Sequence, residues 1–384
     1  MSGPVSKLEN LDPAVYRVAG VDRVRTPALA VYPEIVDSNL SITLGLVGEN
    51  ADRLRPHVKT SKLAATMRRM LERGIRHFKC ATTLELATLC ELGAADVLVA
   101  YPVVGANAER VRELAARFPE TRISVLVESV DELRQWVGGD IGIFVDVNPG
   151  MDRTGIEQHR GRDIADLAFR IGDAGLVFRG LHYYDGHLAS LEPAVREATA
   201  HGGYDRLLEL VDEVQGPRTP VGEIVTAGTP ALPASVSYTG FAPLACVHRV
   251  SPGTVVYGDC ASAAQLSPAY GYRPAALVLS TVVSHPTAGV VTCDAGHKSV
   301  SADAGVPTCV VAGRPDLEPL EPSEEHLPIR VRSGATAPAI GETLYLVPRH
   351  VCPTVNNFDH ALLVVGGAVD EVVPVTARGR EPPL

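Results

Sequence analysis

From about Thr26 to Tyr257, short runs rich in β-branched and aliphatic residues alternate with longer stretches of helical periodicity. The runs fall at 28–32, 54–59, 77–80, 97–101, 123–127, 141–147, 180–184 and 224–226. Several are apolar on both faces, as strands covered on both sides must be. Between them, 61–73, 83–92, 108–117, 164–174 and 194–214 predict helices, and Thr82 with Glu85 has capping-box spacing. Around eight strand-helix units predict an α/β fold, a parallel sheet closed into a (β/α)8 TIM-like barrel. No G-x-G-x-x-G follows the first strand, which argues against dinucleotide binding. After Tyr257 the texture changes to strand-like runs broken by Gly and Pro at 275–283, 289–293, 308–312, 328–331, 343–347 and 361–365. They predict a second, mostly β C-terminal domain. The Pro- and Glu-rich segment 315–325 reads as a surface loop.

A chain of 384 residues exceeds the size at which single cores stop growing, which fits a barrel of 26–257 with a smaller domain. With 46% hydrophobic and 21% charged residues it reads as globular. A net charge of -10 without a basic stripe argues against a nucleic-acid partner. Residues 1–25 lack a signal-peptide core and no run is long and apolar enough to span a bilayer, so the expectation is a cytoplasmic protein with no membrane partner. The seven cysteines form no CxxC pair and read as reduced thiols, mostly small buried apolar residues.

Candidate chemistry begins at 55–62, Arg-Pro-His-Val-Lys-Thr-Ser-Lys, at the end of an extended run just before a helical segment. In an alternating strand His57 and Lys59 face the same way, so an imidazole and an amine converge on one cavity if the strand lines a barrel. An amine in a partly dry, cationic setting loses basicity and can hold a carbonyl cofactor as a Schiff base. A basic run alone is more often solvated surface. Four further segments accompany this one: Phe-Lys-Cys-Ala-Thr at 78–82, Gly-Met-Asp-Arg-Thr-Gly at 150–155, Ala-Gly-Thr-Pro at 227–230 and His-Val-Cys-Pro-Thr at 350–354. Together they resemble the D-threonine aldolase and D-serine dehydratase family, pyridoxal phosphate enzymes of the alanine-racemase-like fold type, over roughly residues 24–380.

The resemblance implies roles for single residues. Lys59 would hold the cofactor, with His57 beside it. The small-residue turn before Pro230 suits an anion, and Gly228 and Thr229, with Tyr257 as a third contact, would meet the cofactor phosphate. Arg153 would approach the phenolic oxygen, and Tyr184 would pack against the pyridine ring. A loop arginine capping carbonyls and a core tyrosine are the bland alternatives. In alanine-racemase-like relatives an arginine before Pro-Gly meets the pyridine nitrogen. Here Ser251 occupies that place, which argues against a racemase and for a reaction helped by another electrophile. His350 and Cys352, two residues apart, match the family's metal loop, and the thiolate leans toward zinc, with manganese as the other candidate. Lys298 and His326 would line the site or form a charged loop, and His182 and His187 would be catalytic or structural.

The reading is a pyridoxal phosphate- and divalent-metal-dependent lyase acting on D-3-hydroxy amino acids. The preferred outcome is retro-aldol cleavage of D-threonine-like substrates to glycine and an aldehyde. Dehydration of D-serine or D-3-hydroxyaspartate to a 2-oxo acid and ammonia is the alternative, and a non-catalytic pyridoxal phosphate-binding protein the third. The resemblance further implies that residues 1–25 join the β domain of 258–384 and that the chain is a homodimer.

Overall fold

The computed structural model describes residue 8 and residues 11–383. Two compact units emerge. One comprises Thr43–Lys59, Met67–Gly253 and Arg380–Leu384, the other Met1–Ile42, Thr60–Thr66 and Thr254–Gly379.

The first unit is built on an all-parallel sheet. Its strands follow in the order His77–Cys80, Asp96–Val99, Arg122–Val127, Gly142–Asn148, Val177–Tyr183, Glu223–Thr226 and Val247–Val250. The segment 54–57 closes it: Leu54 bridges Val250 on one side and His57 bridges Lys79 on the other, both in parallel sense. Eight staves therefore form a TIM-like barrel. The run at 28–32, read from the sequence as a barrel strand, lies elsewhere. Ala28–Val31 pairs antiparallel with Ala276–Thr287 and parallel with His360–Val365. A short apolar strand buried on both faces has the same pattern in either setting, so periodicity did not separate the two. The missing stave is Val247–Val250, whose central His248 and Arg249 break the apolar pattern yet are buried.

Side chains two residues apart along a strand share a face, so the barrel interior fills in layers. Near the strand starts, fully buried Arg55 makes two hydrogen bonds to Glu223, at 2.7 and 2.8 Å, and one of 2.8 Å to Asp96. Above lie Leu98, Leu126, Phe144 and Val225. Lys79, Asp146 and His182 follow at the ends of their strands. Gly180 makes the stave beside Glu223 possible. Its φ is +148°, and a Cβ there would lie 1.8 Å from the Glu223 carbonyl oxygen. Gly180→Ala must push two staves apart, and a loss of more than about 3 kcal/mol is expected from the urea midpoint.

Among the helices, Thr83–Glu91 starts as its sequence predicts. Thr82 Oγ1 accepts the Glu85 N–H at 3.0 Å, while the Glu85 carboxylate takes the N–H of Ala81, one residue earlier than a capping box requires, at 2.7 Å.

The second unit is a nine-stranded, largely antiparallel sheet. Its main path runs Leu317–Pro319, Leu327–Val331, Val290–Cys293, Ala276–Thr287, Ala28–Val31, His360–Val365 and Ala368–Pro374. Thr343–Pro348 pairs with Ala276–Thr287 and with Cys309–Val311. Val278, Val291, Ile329, Leu344 and Leu346 form part of its core. Of the N-terminal segment expected here, residues 1–7, 9 and 10 lie outside the described residues. The Tyr16 hydroxyl donates to the Pro274 carbonyl at 3.0 Å and the Ala19 N–H to the Gly367 carbonyl at 2.7 Å. Among the described residues, no helix is long and apolar enough to cross a membrane.

Candidate active site

The C-terminal ends of the barrel strands surround a cavity of about 430 Å³, within the range of small-ligand sites. Its lining includes His57, Lys59, Lys79, Arg153, His182 and Tyr184 and, among the described residues, no carboxylate. Tyr184 is the centre of this group. Arg153 Cζ stands 5.1 Å, Lys79 Nζ 5.5 Å and Lys59 Nζ 5.9 Å from its ring centroid. His57 and Lys59 both line the cavity, but Lys59 stands in the turn that follows the His57 bridge rather than in the strand expected through 59, and the His57 Nδ1 accepts the Lys59 backbone N–H at 3.3 Å.

Arg153 rides on a loop that doubles back on its own strand, so that Ile156 pairs with Val147. Gly155, at φ +93°, makes that return possible, since a Cβ would lie 3.0 Å from the Asn148 nitrogen and the Asp146 oxygen. Gly228 packs directly on Tyr184, where a Cβ would meet the ring at 3.0 Å, and its N–H donates to the buried Asp185 at 3.3 Å. Burial raises the Asp185 carboxyl above its ordinary value, against a 2.6 Å hydrogen bond from Tyr204. Thr229 is buried, and its Oγ1 accepts the Gly253 N–H at 3.3 Å. Ser251 Oγ is buried without a hydrogen-bond partner among the described residues, as is His187 Nδ1.

His182, read from the sequence as catalytic or structural, and two residues assigned no role from the sequence, Asp146 and Lys79, organise the cavity wall. Asp146 and His182 are register partners on neighbouring strands, and His182 Nδ1–H donates to Asp146 Oδ1 at 2.6 Å. The other imidazole nitrogen accepts from Lys79 Nζ at 3.2 Å, and Thr154 Oγ1 donates to Asp146 Oδ2 at 2.8 Å. Burial, then the Lys59 charge, lowers Lys79 to about 7, although Asp146 and Asp185 pull the other way. Burial likewise keeps His182 below its ordinary value. An aspartate inside Ile-Phe-Val-Asp-Val and a lysine inside His-Phe-Lys-Cys were the available signals, charged residues where strands should be apolar.

Tyr257, His350 and Cys352 belong to the other unit. Tyr257 is fully buried, its hydroxyl 2.8 Å from Thr66 Oγ1 and 3.3 Å from the Ser61 carbonyl. His350 immediately precedes the helix Val351–Asn356 and Cys352 lies in its first turn, so the pair converges through a strand-to-helix turn rather than along an extended strand. His350 Nδ1 is hydrogen-bonded to Asp303 Oδ2 at 2.6 Å, and Cys352 Sγ lies 3.1 Å from Thr60 Oγ1. Burial disfavours the imidazolium, but Cys352 and Asp303 together raise His350 to about 9. A histidine oriented by a carboxylate on its far nitrogen, beside a thiol, is a donor set suited to a borderline metal ion. Among the described residues, no group of three or more His, Cys, Asp or Glu is arranged to hold a metal ion together. Lys298 instead pairs with Glu324 at 2.7 Å and Glu325 at 3.0 Å in an exposed loop, beside exposed His326.

Comparison with known proteins places this geometry. Residues 34–261 match the family described as alanine racemase, N-terminal domain, and residues 275–364 match a putative serine dehydratase domain. The chain belongs to the alanine racemase-like family, for which pyridoxal phosphate is the expected cofactor. It is 29% identical over 377 residues to D-threonine aldolase of Arthrobacter sp, covering 93% of each chain. It is 27% identical over 379 residues to 3-hydroxy-D-aspartate aldolase of Paracoccus denitrificans strain Pd 1222, again covering 93% of each. The crystal structure of D-threonine aldolase from Filomicrobium marinum superposes with a TM-score of 0.85 at 28% identity, covering 94% of this chain and 97% of that one.

The cavity fits that cofactor. It has an amine for a carbonyl and cations for anionic groups, and Gly228, packed against its Tyr184, leaves room where a side chain would crowd the tyrosine ring.

Proposed function

We propose that the chain is a pyridoxal phosphate- and divalent-metal-dependent lyase that cleaves D-3-hydroxy amino acids of the D-threonine kind to glycine and an aldehyde. The observation that carries this reading is the convergence of Lys59, Arg153 and Tyr184 on one carboxylate-free cavity. Likeness to aldolases along nearly the whole chain supports it.

In this reading Lys59 holds the cofactor covalently and moves a proton at the substrate's α-carbon, and His57 fixes the backbone that presents it. Tyr184 would support the cofactor ring, Arg153 would hold its phenolic oxygen, and Ser251 would be a neutral partner for its nitrogen. Gly228 and Thr229 would take the phosphate. When bound, pyridoxal phosphate supplies an electron sink for the charge left at the α-carbon. His350 and Cys352 would hold zinc or manganese, which supplies Lewis acidity for a hydroxyl group, and Asp303 orients His350. In the overall cleavage the substrate's 3-hydroxyl loses a proton, the Cα–Cβ bond breaks and the α-carbon gains a proton.

The match of residues 275–364 to a serine dehydratase domain favours a second reading, loss of the 3-hydroxyl as water to give a 2-oxo acid and ammonia. Product analysis decides between them. The cofactor-loaded protein is incubated with D-threonine, D-serine and D-3-hydroxyaspartate, with zinc or manganese and after chelation. Glycine with an aldehyde, lost on chelation, is the expected result. A 2-oxo acid with ammonia identifies the dehydratase, and no turnover leaves a cofactor-binding protein. Cys352→Ala is expected to lower bound metal at least about tenfold by elemental analysis while cofactor absorbance persists.

A further inference from the structure

If Lys59 moves a proton at the substrate, the cavity needs somewhere to put it, and few of its basic atoms are available. Among the described residues no carboxylate lines the cavity. His57 Nδ1 is engaged by the Lys59 backbone N–H, and both His182 nitrogens are engaged, by Asp146 and by Lys79. A further basic group of the lining is the Lys79 amine. It lies on His77–Cys80, the stave that joins Lys59's own at the His57–Lys79 bridge.

We propose that Lys79 is a second acid–base amine of this cavity, which accepts in its neutral form the proton that reaches Lys59 during turnover and returns it, with Asp146 and His182 holding its nitrogen in place. In the transfer one N–H bond of the Lys59 ammonium breaks and one N–H bond to Lys79 forms, so the net charge of the cavity is unchanged. The inference rests on the role given to Lys59 above.

The geometry equips Lys79 for this and for little else. The residue is 3% exposed, so its amine is out of contact with bulk water. Because His182 Nδ1–H must donate to the Asp146 carboxylate, the facing Nε2 is a lone pair, and it accepts an N–H from Lys79 in either protonation state. Thr154 fixes the second carboxylate oxygen of Asp146. The pair is therefore a tether that holds the amine from one side. Cationic Lys59 and Arg55 destabilise a proton on Lys79, Asp146 and Asp185 stabilise one, and burial outweighs them, so the amine sits near 7 instead of in the ordinary lysine range. The Tyr184 ring faces both amines. Below about pH 7 Lys79 already carries its proton and cannot accept another; above it the neutral amine is ready.

The test uses the cofactor-loaded full chain and reads two quantities against pH: the visible absorbance of the bound cofactor and kcat/KM for D-threonine. The wild type is expected to show in both a limb that lies below the ordinary lysine range. Lys79→Met, of similar length and apolar for its buried site, is expected to keep borohydride-fixed attachment of the cofactor at Lys59, to lose the limb in both, and to lower kcat about 100-fold. His182→Gln keeps the amine and changes its tether, so the limb moves to a new pH and kcat falls less. A Lys79→Met protein with the limb and kcat intact overturns the inference. If that variant does not fold, an unmoved limb in His182→Gln overturns it and a displaced one supports it. Absence of attachment at Lys59 in the wild type would sink the role of Lys59 and this inference with it, whereas attachment without a Lys79-dependent limb sinks this inference alone.

Discussion

Lys59→Ala is expected to leave the barrel folded, to abolish borohydride-fixed attachment of the cofactor, and to lower kcat by more than about 1,000-fold. The fold should survive because the residue stands beyond the bridge that closes the sheet, and its backbone contact to the His57 ring does not depend on its side chain. The chemistry should not survive, because it requires an amine at that point of the cavity, and alanine offers none. Mass analysis of the reduced, digested protein reads the attachment directly. The outcome against this expectation is specific. Attachment that persisted in Lys59→Ala and moved to the peptide containing Lys79 would mean that the holder of the cofactor had been misassigned between two amines facing the same tyrosine ring.

At the opposite end of the barrel, Arg55→Met is expected to cost about 3 kcal/mol of stability without touching the cavity. Removing one partner of a buried ion pair typically costs 3–5 kcal/mol, roughly, because the other charge stays buried. The lower end applies here, since Arg179 remains 3.0 Å from Asp96 and Arg249 still pairs with Glu223 at 2.6 Å. The urea midpoint at neutral pH reads the loss; a change below about 1 kcal/mol would show that the remaining arginines carry the network. Acid offers a second reading. Burial opposes ionisation of Asp96, yet His77, Arg55 and Arg179 hold its carboxyl well below the ordinary carboxylate range. A depressed folded value means that the contribution is complete above the unfolded value of about 4 and is lost as pH falls below it. Wild-type stability should therefore drop on acidification below about pH 4, and Arg55→Met should show a smaller drop because part of the contribution is already gone.

Much of this was legible in the sequence, and the exceptions share a cause. Strand-helix alternation predicted a barrel with a β domain, and the lysine, arginine and tyrosine motifs indicated residues that the structure gathers at one cavity. What alternation could not supply was partnership. Ala28–Val31 reads as well in one sheet as in the other, and only its pairing with Ala276–Thr287 and His360–Val365 settles its place. Val247–Val250 was hidden by His248 and Arg249, polar residues whose burial depends on partners distant in sequence, Thr226 and Ser235 for the first, Asp52 and Glu223 for the second. Lys79 escaped notice for the same reason. Its meaning depends on His182 and Asp146, and nothing in the spacing of positions 79, 146 and 182 announces that they meet.

The stave at 54–57 joins the beginning of the barrel to its end, since Leu54 lies against Val250. A ribosome delivers the chain in order, so the strand that presents Lys59 emerges early and waits for its far neighbour until almost the whole first unit has been synthesised. Closure of such sequence-distant contacts is slow and comes late in folding. Lys59 therefore reaches its place beside the cavity at the last act of barrel assembly, and nascent chains that stop short of Val250 should have no closed barrel around it.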